Sequence, residues 1–303
     1  MLTIPDSKVV YALGKHDAPV ATCRSGDTVR FVTKDCFSNQ ITKETDLFES
    51  VGWATINPAT GPLYVEGCVT GDALRVDILD IQMNSPGVMV AVPGLGALGD
   101  LISRSRTKLV PIEDGHVLFS EEIKVPINPM IGVIGVAPED EPVACGTPGL
   151  HGGNMDTRQI TVGASVYLPV NVPGALLCVG DLHAAMGDGE VVVCGAEVSG
   201  SVTARVRVVP ELYLPCPVVE DKDATYFVYS AHDLDAAARG ALLAAVNHIT
   251  SRTKIDLPEA GMLLSLAGHL EISQIVDPLM TSRLKIPTWL GDKLGVRFGT
   301  LSG

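Results

Sequence analysis

Short apolar segments that alternate with polar residues, separated by glycine and proline, constrain the fold of this chain most. Residues 29–33 (Val-Arg-Phe-Val-Thr) and 74–81 (Leu-Arg-Val-Asp-Ile-Leu-Asp-Ile) show the pattern. Because successive side chains of a strand point to opposite faces, this alternation indicates strands with one buried face. Glycine and proline, at 31 and 20 of the 303 residues, supply the intervening turns. The sequence therefore predicts many short strands joined by tight turns.

Two helices are predicted near the C-terminus. The first spans Leu234–Arg252, where apolar residues including Leu242 and Ile249 recur at helical spacing. The second follows Asp256, which opens a capping-box pattern. Residues 270–275 then alternate like a strand.

This order of elements favours a mainly β or α+β fold, with β-sandwich or barrel portions and a helical α/β layer near the C-terminus. We expect residues 1–303 to form a single compact catalytic unit. The proline-rich segment 210–217 is the best candidate for a sub-boundary between the β-rich part and the C-terminal α/β part.

The composition narrows the partners and the location of the protein. A net charge of −13, without a run of Lys or Arg, argues against binding to nucleic acid or to an anionic membrane surface. The N-terminus has no apolar signal-peptide core, and no apolar stretch is long enough to span a bilayer, so we expect a cytoplasmic protein. Because 46% of residues are hydrophobic and only 19% are charged, we also expect a homo-oligomer.

Seven cysteines are spread widely along the chain, and none belongs to a C-x-x-C pair. The odd number and the spacing argue against a disulfide framework and against a thiolate zinc knuckle. Most of these cysteines are expected to be buried small hydrophobes.

The densest polar cluster lies at residues 179–190, directly after an apolar strand. Asp181 and His183 are two residues apart, so a continuing strand projects both from one face. A carboxylate and an imidazole placed in this way could hold a divalent cation such as zinc. A tight Gly-Asp-Gly turn then brings Glu190 back, as a general base or as a partner of a ligand. The alternative is a hairpin with solvated acidic tips.

A second cluster surrounds the adjacent glycines Gly152 and Gly153. Glycines without side chains let the backbone approach a ligand and expose N–H groups. His151 and Asp156 flank them, so the loop could supply an oxyanion site, a metal ligand or both. A flexible turn with a surface histidine is the other interpretation.

Two isolated carboxylates complete the candidates. Asp35 follows a predicted strand and is a candidate ligand or base, although a strand-terminating aspartate explains it as well. Glu66 lies within an apolar strand, where an inward carboxylate beside a metal would be a base with a shifted pKa. An outward-facing Glu66 on an alternating strand is equally compatible.

Several of these segments resemble the acetamidase/formamidase family over residues 5–296. The segments that carry the resemblance are His-Gly-Gly-Asn-Met-Asp at 151–156, Gly-Asp-Leu-His-Ala-Ala-Met-Gly-Asp-Gly-Glu at 180–190, Gly-Pro-Leu-Tyr-Val-Glu-Gly at 61–67, Asp-Cys-Phe at 35–37 and Pro-Gly-Leu-Gly-Ala-Leu-Gly-Asp at 93–100. The resemblance implies hydrolysis of formamide, acetamide or a similar short amide to a carboxylate and ammonia. It also implies a mostly β fold with an α/β element, and a divalent metal in the site.

We therefore hypothesise a metal-dependent amidohydrolase acting on linear amides. Asp181 and His183 bind the metal, and the remaining candidate ligands are His151, Asp156 and Asp35. Zinc is the expected ion, with calcium as an alternative second ion. Glu66 or Glu190 acts as general base, and the segment formed by Gly152, Gly153 and Asn154 stabilises the oxyanion.

Two other functions remain open from the sequence. One is a metal-dependent hydrolase of a different C–N bond, such as that of a cyclic amide or a urea-like compound. The other is a non-catalytic β-sandwich module that binds a small polar molecule. Turnover of a substrate panel separates the three.

Overall fold

The computed structural model describes residues 1–301, in which strands predominate and helices lie near the C-terminus. The strands are β1 (Leu2–Ile4), β2 (Val9–Val10), β3 (Ala12–Leu13), β4 (Ala21–Arg24), β5 (Thr28–Thr33), β6 (Ala59–Glu66), β7 (Ala73–Met83), β8 (Gly87–Ala91), β9 (Arg106–Val110), β10 (Ile112–Glu113), β11 (His116–Leu118), β12 (Lys124–Pro126), β13 (Met130–Gly135), β14 (Val143–Ala144), β15 (Gly152–Asn154), β16 (Ser165–Pro169), β17 (Leu177–His183), β18 (Glu197–Val198), β19 (Gly200–Val209), β20 (Val218–Glu220), β21 (Ala224–Ala231), β22 (His269–Gln274) and β23 (Met280–Pro287). The helices are α1 (Leu234–Arg252), α2 (Leu257–Ala267), α3 (Thr288–Leu294) and α4 (Phe298–Leu301), with short 3-10 turns at Phe48–Ser50, Trp53–Thr55 and Gly99–Leu101.

Two large sheets form the body of the molecule. The first has the strand order β1-β5-β19-β7-β16-β20-β21-β23-β22. The second has the order β15-β13-β17-β18-β8-β9, and β6 joins it through β17 and itself pairs with β2 and β4. Smaller sheets are formed by β10-β11-β12 and by β14-β3.

The main core lies between the two large sheets. Alternate residues of β5, such as Val29 and Phe31, are fully buried and share one apolar cluster with Ile131 of β13 and Val179 of β17. This contact between inward faces is that of a β-sandwich. The mainly β architecture with late helices that the sequence predicts is confirmed.

The helical layer covers the C-terminal half of the first sheet. Helices α1 and α2 begin at the predicted caps, Asp233 and Asp256, whose side chains accept hydrogen bonds from backbone N–H groups. The face of α1 differs from the expected one, since Leu242 is exposed and the buried stripe is largely alanine, including Ala241 and Ala245. Small side chains let the helix lie close to the sheet.

Segment 210–217 connects two parts of the same sheet, because β16 before it pairs with β20 after it. All seven cysteines are buried and unbridged. Among residues 1–301, no helix is both long enough and apolar enough to cross a membrane.

Candidate active site

The candidate site is built on β17, the strand that lies between β13 and β18 in the second sheet. Its last residues include Asp181 and His183, and both side chains are buried. The carboxylate Oδ1 of Asp181 lies 3.6 Å from Nε2 of His183. The structure thus brings together the two residues that the i,i+2 spacing places on one face.

Four carboxylates surround the imidazole of His183. The oxygens near its Nε2 are those of Glu197 at 3.0 Å, Asp181 at 3.6 Å, and Asp156 and Glu190 at 3.9 Å each. All five side chains are buried. They come from β17, β18 and the loops after β15 and β17, so the sheet pairing assembles them.

Many polar atoms in this cluster lack a hydrogen-bond partner in the described structure. The unpartnered atoms are both carboxylate oxygens of Asp156, Oδ1 of Asp181, Oε2 of Glu190, Oε2 of Glu197 and both ring nitrogens of His183. Buried polar atoms without partners are costly, so their concentration in one place indicates a missing partner. Carboxylate oxygens around an imidazole nitrogen form a donor set that fits a divalent cation.

The ligand-type atoms fall into two groups of three. Asp156, His183 and Glu190 form one group, and each residue offers an atom within 4.8 Å of the others. Cys36, Asp181 and Glu197 form the second group by the same measure. These are candidate metal-ligand clusters, here called the histidine group and the thiol group.

Gly132 makes room for the acids. It lies in β13 between Ile131 and Val133, which pair with the residues flanking Asp181 in β17. A Cβ at position 132 would collide with carboxylate oxygens of both Asp181 and Asp156. Only glycine leaves this space free without displacing an acid.

Three of the acids have backbone conformations that are rare for residues with a side chain. The φ angles of Asp156, Asp181 and Glu190 are +41°, +55° and +50°. Such left-handed residues are uncommon outside glycine and concentrate at functional sites, where the surrounding structure holds them. This observation supports a site rather than a solvated hairpin.

Burial and mutual repulsion shift the pKa values of the acids upward. Burial, together with the charge of Asp181, raises the pKa of Asp156 to about 7. Burial also raises the pKa of Glu197 to about 8 and that of Glu190 well above its usual range. Burial alone would lower the pKa of His183, but the charges of Glu197 and Asp181 raise it well above 6.5. A cluster without a cation would therefore hold protons, which a bound cation would displace.

Asn154 and Asp277 extend the polar region. Asn154 Nδ2 donates to Asp277 Oδ2 at 2.9 Å, while the buried Oδ1 of Asn154 has no partner in the described structure. Asp277 follows β22 in a loop whose backbone N–H groups donate to Gln274.

Arg283 ties this region to the Glu190 loop. Its buried guanidinium donates to Asp188 Oδ2 at 2.7 Å, to Glu271 Oε2 at 2.9 Å and to Ser273 Oγ at 3.1 Å. Ser273 Oγ also accepts from Thr157, the residue after Asp156. Because Asp188 is two residues from Glu190, Arg283 supports both loops that carry ligand-type acids.

Glu66 does not reach the site, and the expectation that it acts there is corrected. Its side chain is 54% exposed and forms an ion pair with Arg24 at 3.4 Å. The parallel pairing of β4 with β6 places these two residues in register. Glu66 therefore faces solvent, the alternative that strand alternation allowed.

His151 and Asp35 are buried but belong to neither ligand-type group, and only Asp35 lies close enough to Asp181 to feel its charge. Burial lowers the pKa of His151 to about 4, with no carboxylate among the causes of the shift. Asp35 Oδ1 accepts from the Asn39 N–H at 2.7 Å, and burial raises the pKa of Asp35 to about 6. Its neighbour Cys36 takes the position expected for Asp35.

The two glycines after His151 serve backbone packing. The Gly152 N–H donates to the Gly149 carbonyl, so it is not free to stabilise an oxyanion. A Cβ on Gly152 would collide with the Ile134 carbonyl, and one on Gly153 would lie 2.5 Å from the Thr147 carbonyl. Close approach of β15 to β13 explains Gly152, and close approach to the loop at Thr147 explains Gly153.

Sequence reasoning missed Glu197, Cys36 and Asp277. Glu197 stands between Ala196 and Val198, so a buried carboxylate in an apolar segment was the available signal. Cys36 and Asp277 lie in loops whose sequence carries no ligand spacing.

A cavity of about 580 Å³ opens onto these groups. Its polar lining includes Asn154, Asp181, Glu190, Glu197 and Asp277. The rest of the lining is largely apolar, including Phe37 and Phe48. Ligand sites combine an apolar enclosure with a few convergent polar groups in this way.

Comparison with known proteins decides the family. The model of the Acetamidase/Formamidase family matches residues 15–145 and 142–292, which is most of the chain. This chain belongs to the acetamidase/formamidase family. Membership identifies it as an amidohydrolase of the type that acts on short-chain amides.

Solved structures and a curated relative agree with this assignment. The acetamidase from Bacillus halodurans is 49% identical to this chain. The match covers 97% of this chain and 100% of the acetamidase chain, and the two structures superpose with a TM-score of 0.96. A predicted acetamidase/formamidase from Thermoanaerobacter tengcongensis is 45% identical over 98% of this chain and 99% of its own, also with a TM-score of 0.96. The formamidase of Methylophilus methylotrophus is 26% identical over 89% of this chain and 86% of its own length.

Proposed function

We propose that this family member hydrolyses a primary amide of the formamide or acetamide class to the carboxylate and ammonia, with a divalent metal ion in the site. One observation carries the proposal: four buried carboxylates converge on His183 Nε2 beside a cavity, with most of their atoms unpartnered. Acids packed this closely need a cation or protons.

Asp156 and His183 of the histidine group and the three residues of the thiol group are the proposed ligands, which leaves Glu190 beside them unligated. Imidazole and thiolate donors suit zinc, so zinc is the ion we propose, with calcium as an alternative second ion on carboxylate oxygens. When bound, the ion supplies Lewis-acid polarisation of the amide carbonyl and a lowered pKa for water.

Glu190 is the proposed general base. It lines the cavity, its Oε2 has no partner in the described structure, and burial raises its pKa well above the ordinary range. A carboxylate with a raised pKa takes a proton from water near neutral pH and returns it to the leaving nitrogen. The unpartnered Oδ1 of Asn154 accepts a hydrogen bond from the substrate NH₂ group.

The experiment is ammonia release from formamide and acetamide by wild type, His183→Ala and His16→Ala. His183 is fully buried at the centre of the cluster, whereas His16 is exposed. We expect His183→Ala to lose about 10³-fold or more in kcat/KM and His16→Ala to match wild type. Full activity of folded His183→Ala would refute the ligand assignment. Release from cyclic amides or ureas alone would assign the reaction to another C–N bond.

Assembly and location remain proposals. A homo-oligomer is supported by exposed apolar side chains on α2 and β22, including Met262, Leu266 and Leu270. A cytoplasmic location remains a prediction from the sequence.

A further inference from the structure

The cavity is much larger than a short amide. Its volume is about 580 Å³. Acetamide has four heavy atoms, and at about 30 Å³ for each, the volume that one molecule takes up in liquid water, it occupies roughly 120 Å³. A substrate of that size leaves most of the cavity to water, whereas cavities that bind small molecules enclose most of the ligand surface.

The space left over is lined by apolar side chains. Its apolar lining includes Phe37, Phe48, Trp53, Ile56, Val90 and Leu95. Only 5% of the residues of this chain are Phe, Trp or Tyr, yet four of them line this cavity: Phe37, Phe48, Trp53 and Tyr11. Such a wall cannot hydrogen-bond a polar substituent, and it favours an apolar one.

The aromatic residues form a row that leads from the acids to solvent. Phe37 follows Cys36 of the thiol group, its ring centroid lies 6.4 Å from that of Phe48, and Phe48 lies 5.0 Å from Trp53. Phe37 and Phe48 are buried, but the Trp53 side chain is 67% exposed. An exposed indole at the open end of an aromatic row is a surface that a ligand would cover.

The acids lie at the other end of the cavity. Asp181, Glu190, Glu197 and Asp277 line the polar part of the cavity, and the whole chain carries a net charge of −13. The apolar wall offers an anionic substituent neither a hydrogen bond nor a positive charge, so an uncharged acyl group is the one that suits it.

We propose that the preferred substrates of this enzyme are uncharged primary amides whose acyl group is apolar and larger than methyl, either branched or aromatic. The proposal rests on the proposed function, because it uses the same cavity and the same reaction. Water adds to the carbonyl carbon, the C–N bond breaks, and the nitrogen takes a proton and leaves as ammonia. The acyl group lies along the row of Phe37, Phe48 and Trp53 throughout.

The first test compares kcat/KM for acetamide, isobutyramide and phenylacetamide. We expect isobutyramide and phenylacetamide to exceed acetamide by about tenfold or more, because the apolar wall contributes binding that a methyl group cannot reach. An acetamide value equal to or above both would overturn the proposal.

The second test removes the exposed end of the row. Trp53→Ala should lower the ratio of kcat/KM for phenylacetamide to that for acetamide by about tenfold. The matched control is Trp289→Ala, since Trp289 is 62% exposed in α3 and does not line the cavity. Both residues are mostly exposed, and urea unfolding of each variant checks that loss of the Trp53 contact with Phe48 leaves the chain folded. An equal effect of the two variants on the ratio would contradict the assignment of Trp53.

A binding measurement separates this proposal from the proposed function. The chain has two tryptophans, so Trp289→Phe leaves Trp53 as the single indole fluorophore. Phenylacetamide and its product phenylacetate should change the Trp53 emission saturably, and acetamide should not. Emission that does not change would overturn the substrate class even if acetamide were hydrolysed. Saturable binding with no ammonia from any amide would instead refute the proposed function and retain the ligand class.

Discussion

Glu197 and Glu66 have similar sequence surroundings, yet Glu197 is a buried candidate ligand and Glu66 is a surface acid. Both are glutamates at strand positions with apolar neighbours. Pairing of β17 with β18 places Glu197 opposite His183, while pairing of β4 with β6 places Glu66 beside the exposed Arg24. The partner strand, rather than the residue or its neighbours, decides the role.

This pair gives a matched prediction. Glu197→Gln should lower kcat/KM for a turned-over amide by about 10²-fold, because an amide removes the negative charge 3.0 Å from His183 Nε2 and weakens cation binding. Glu66→Gln should remain near wild type, since Glu66 is 54% exposed. Steady-state ammonia release measures both. A loss of the same size in Glu66→Gln would show that Glu66 acts in the site despite its exposed position.

At the scale of elements, the β22–β23 hairpin supports the site from outside the second sheet. Arg283 in β23 is 1% exposed and pairs with Asp188 before Glu190 and with Glu271 in β22. The loop after β22 carries Asp277. The C-terminal hairpin therefore contributes Asp277 to the site and binds Asp188, which lies in the loop that carries Glu190.

Removal of the buried guanidinium should be costly. Arg283→Met leaves Glu271 without this charged donor and Asp188 with Arg158 alone, and because both acids are partly exposed we expect the free energy of unfolding to fall by about 1–3 kcal/mol. Arg24→Met is the matched control, because Arg24 is exposed and its ion pair with Glu66 contributes at most about 1 kcal/mol. Urea unfolding at neutral pH measures both variants. Equal stability of the two would show that the Arg283 pairs contribute no more than a surface pair.

The helical layer has its own pH dependence. Burial lowers the pKa of His248 in α1 from 6.5 to about 4, although its Nε2 lies 2.6 Å from the Val296 carbonyl and its ring stacks on Phe298. Between these pH values the unfolded chain binds a proton at this histidine that the folded chain does not. The contribution of His248 is therefore fully present above about pH 6.5 and is lost as the pH falls towards 4.

His248→Gln tests this dependence, because an amide can still bond to the Val296 carbonyl but does not titrate. Partial exposure of His248 limits the effect to below about 3 kcal/mol. The variant should lose less free energy of unfolding than wild type between pH 6.5 and 4, as measured by urea unfolding at each pH. His16→Gln controls for removing a histidine. Identical slopes for wild type and His248→Gln would contradict the prediction.

At the scale of the whole molecule, the sequence predicts the strands and helices better than it predicts the tertiary contacts between them. Alternation at residues 29–33 and the caps at Asp233 and Asp256 give the strands and helices, because these signals are local. The i,i+2 spacing of Asp181 and His183 is local too, and the structure brings these residues together. Glu197 reaches the same cavity through the pairing of β17 with β18, and Asp277 reaches it from the loop after β22, far along the chain from β17. Local sequence patterns do not encode such contacts between distant segments.

The most direct measurement is the divalent metal content of the protein, determined by elemental analysis, with ammonia release measured on the same samples. Purified wild type, chelator-treated protein and protein resupplied with zinc or calcium are compared, with His183→Ala alongside. We expect at least one bound ion per chain, loss of ammonia release in step with loss of the ion, its return on resupply, and a lower metal content in His183→Ala. Full ammonia release from a metal-free sample would contradict this expectation.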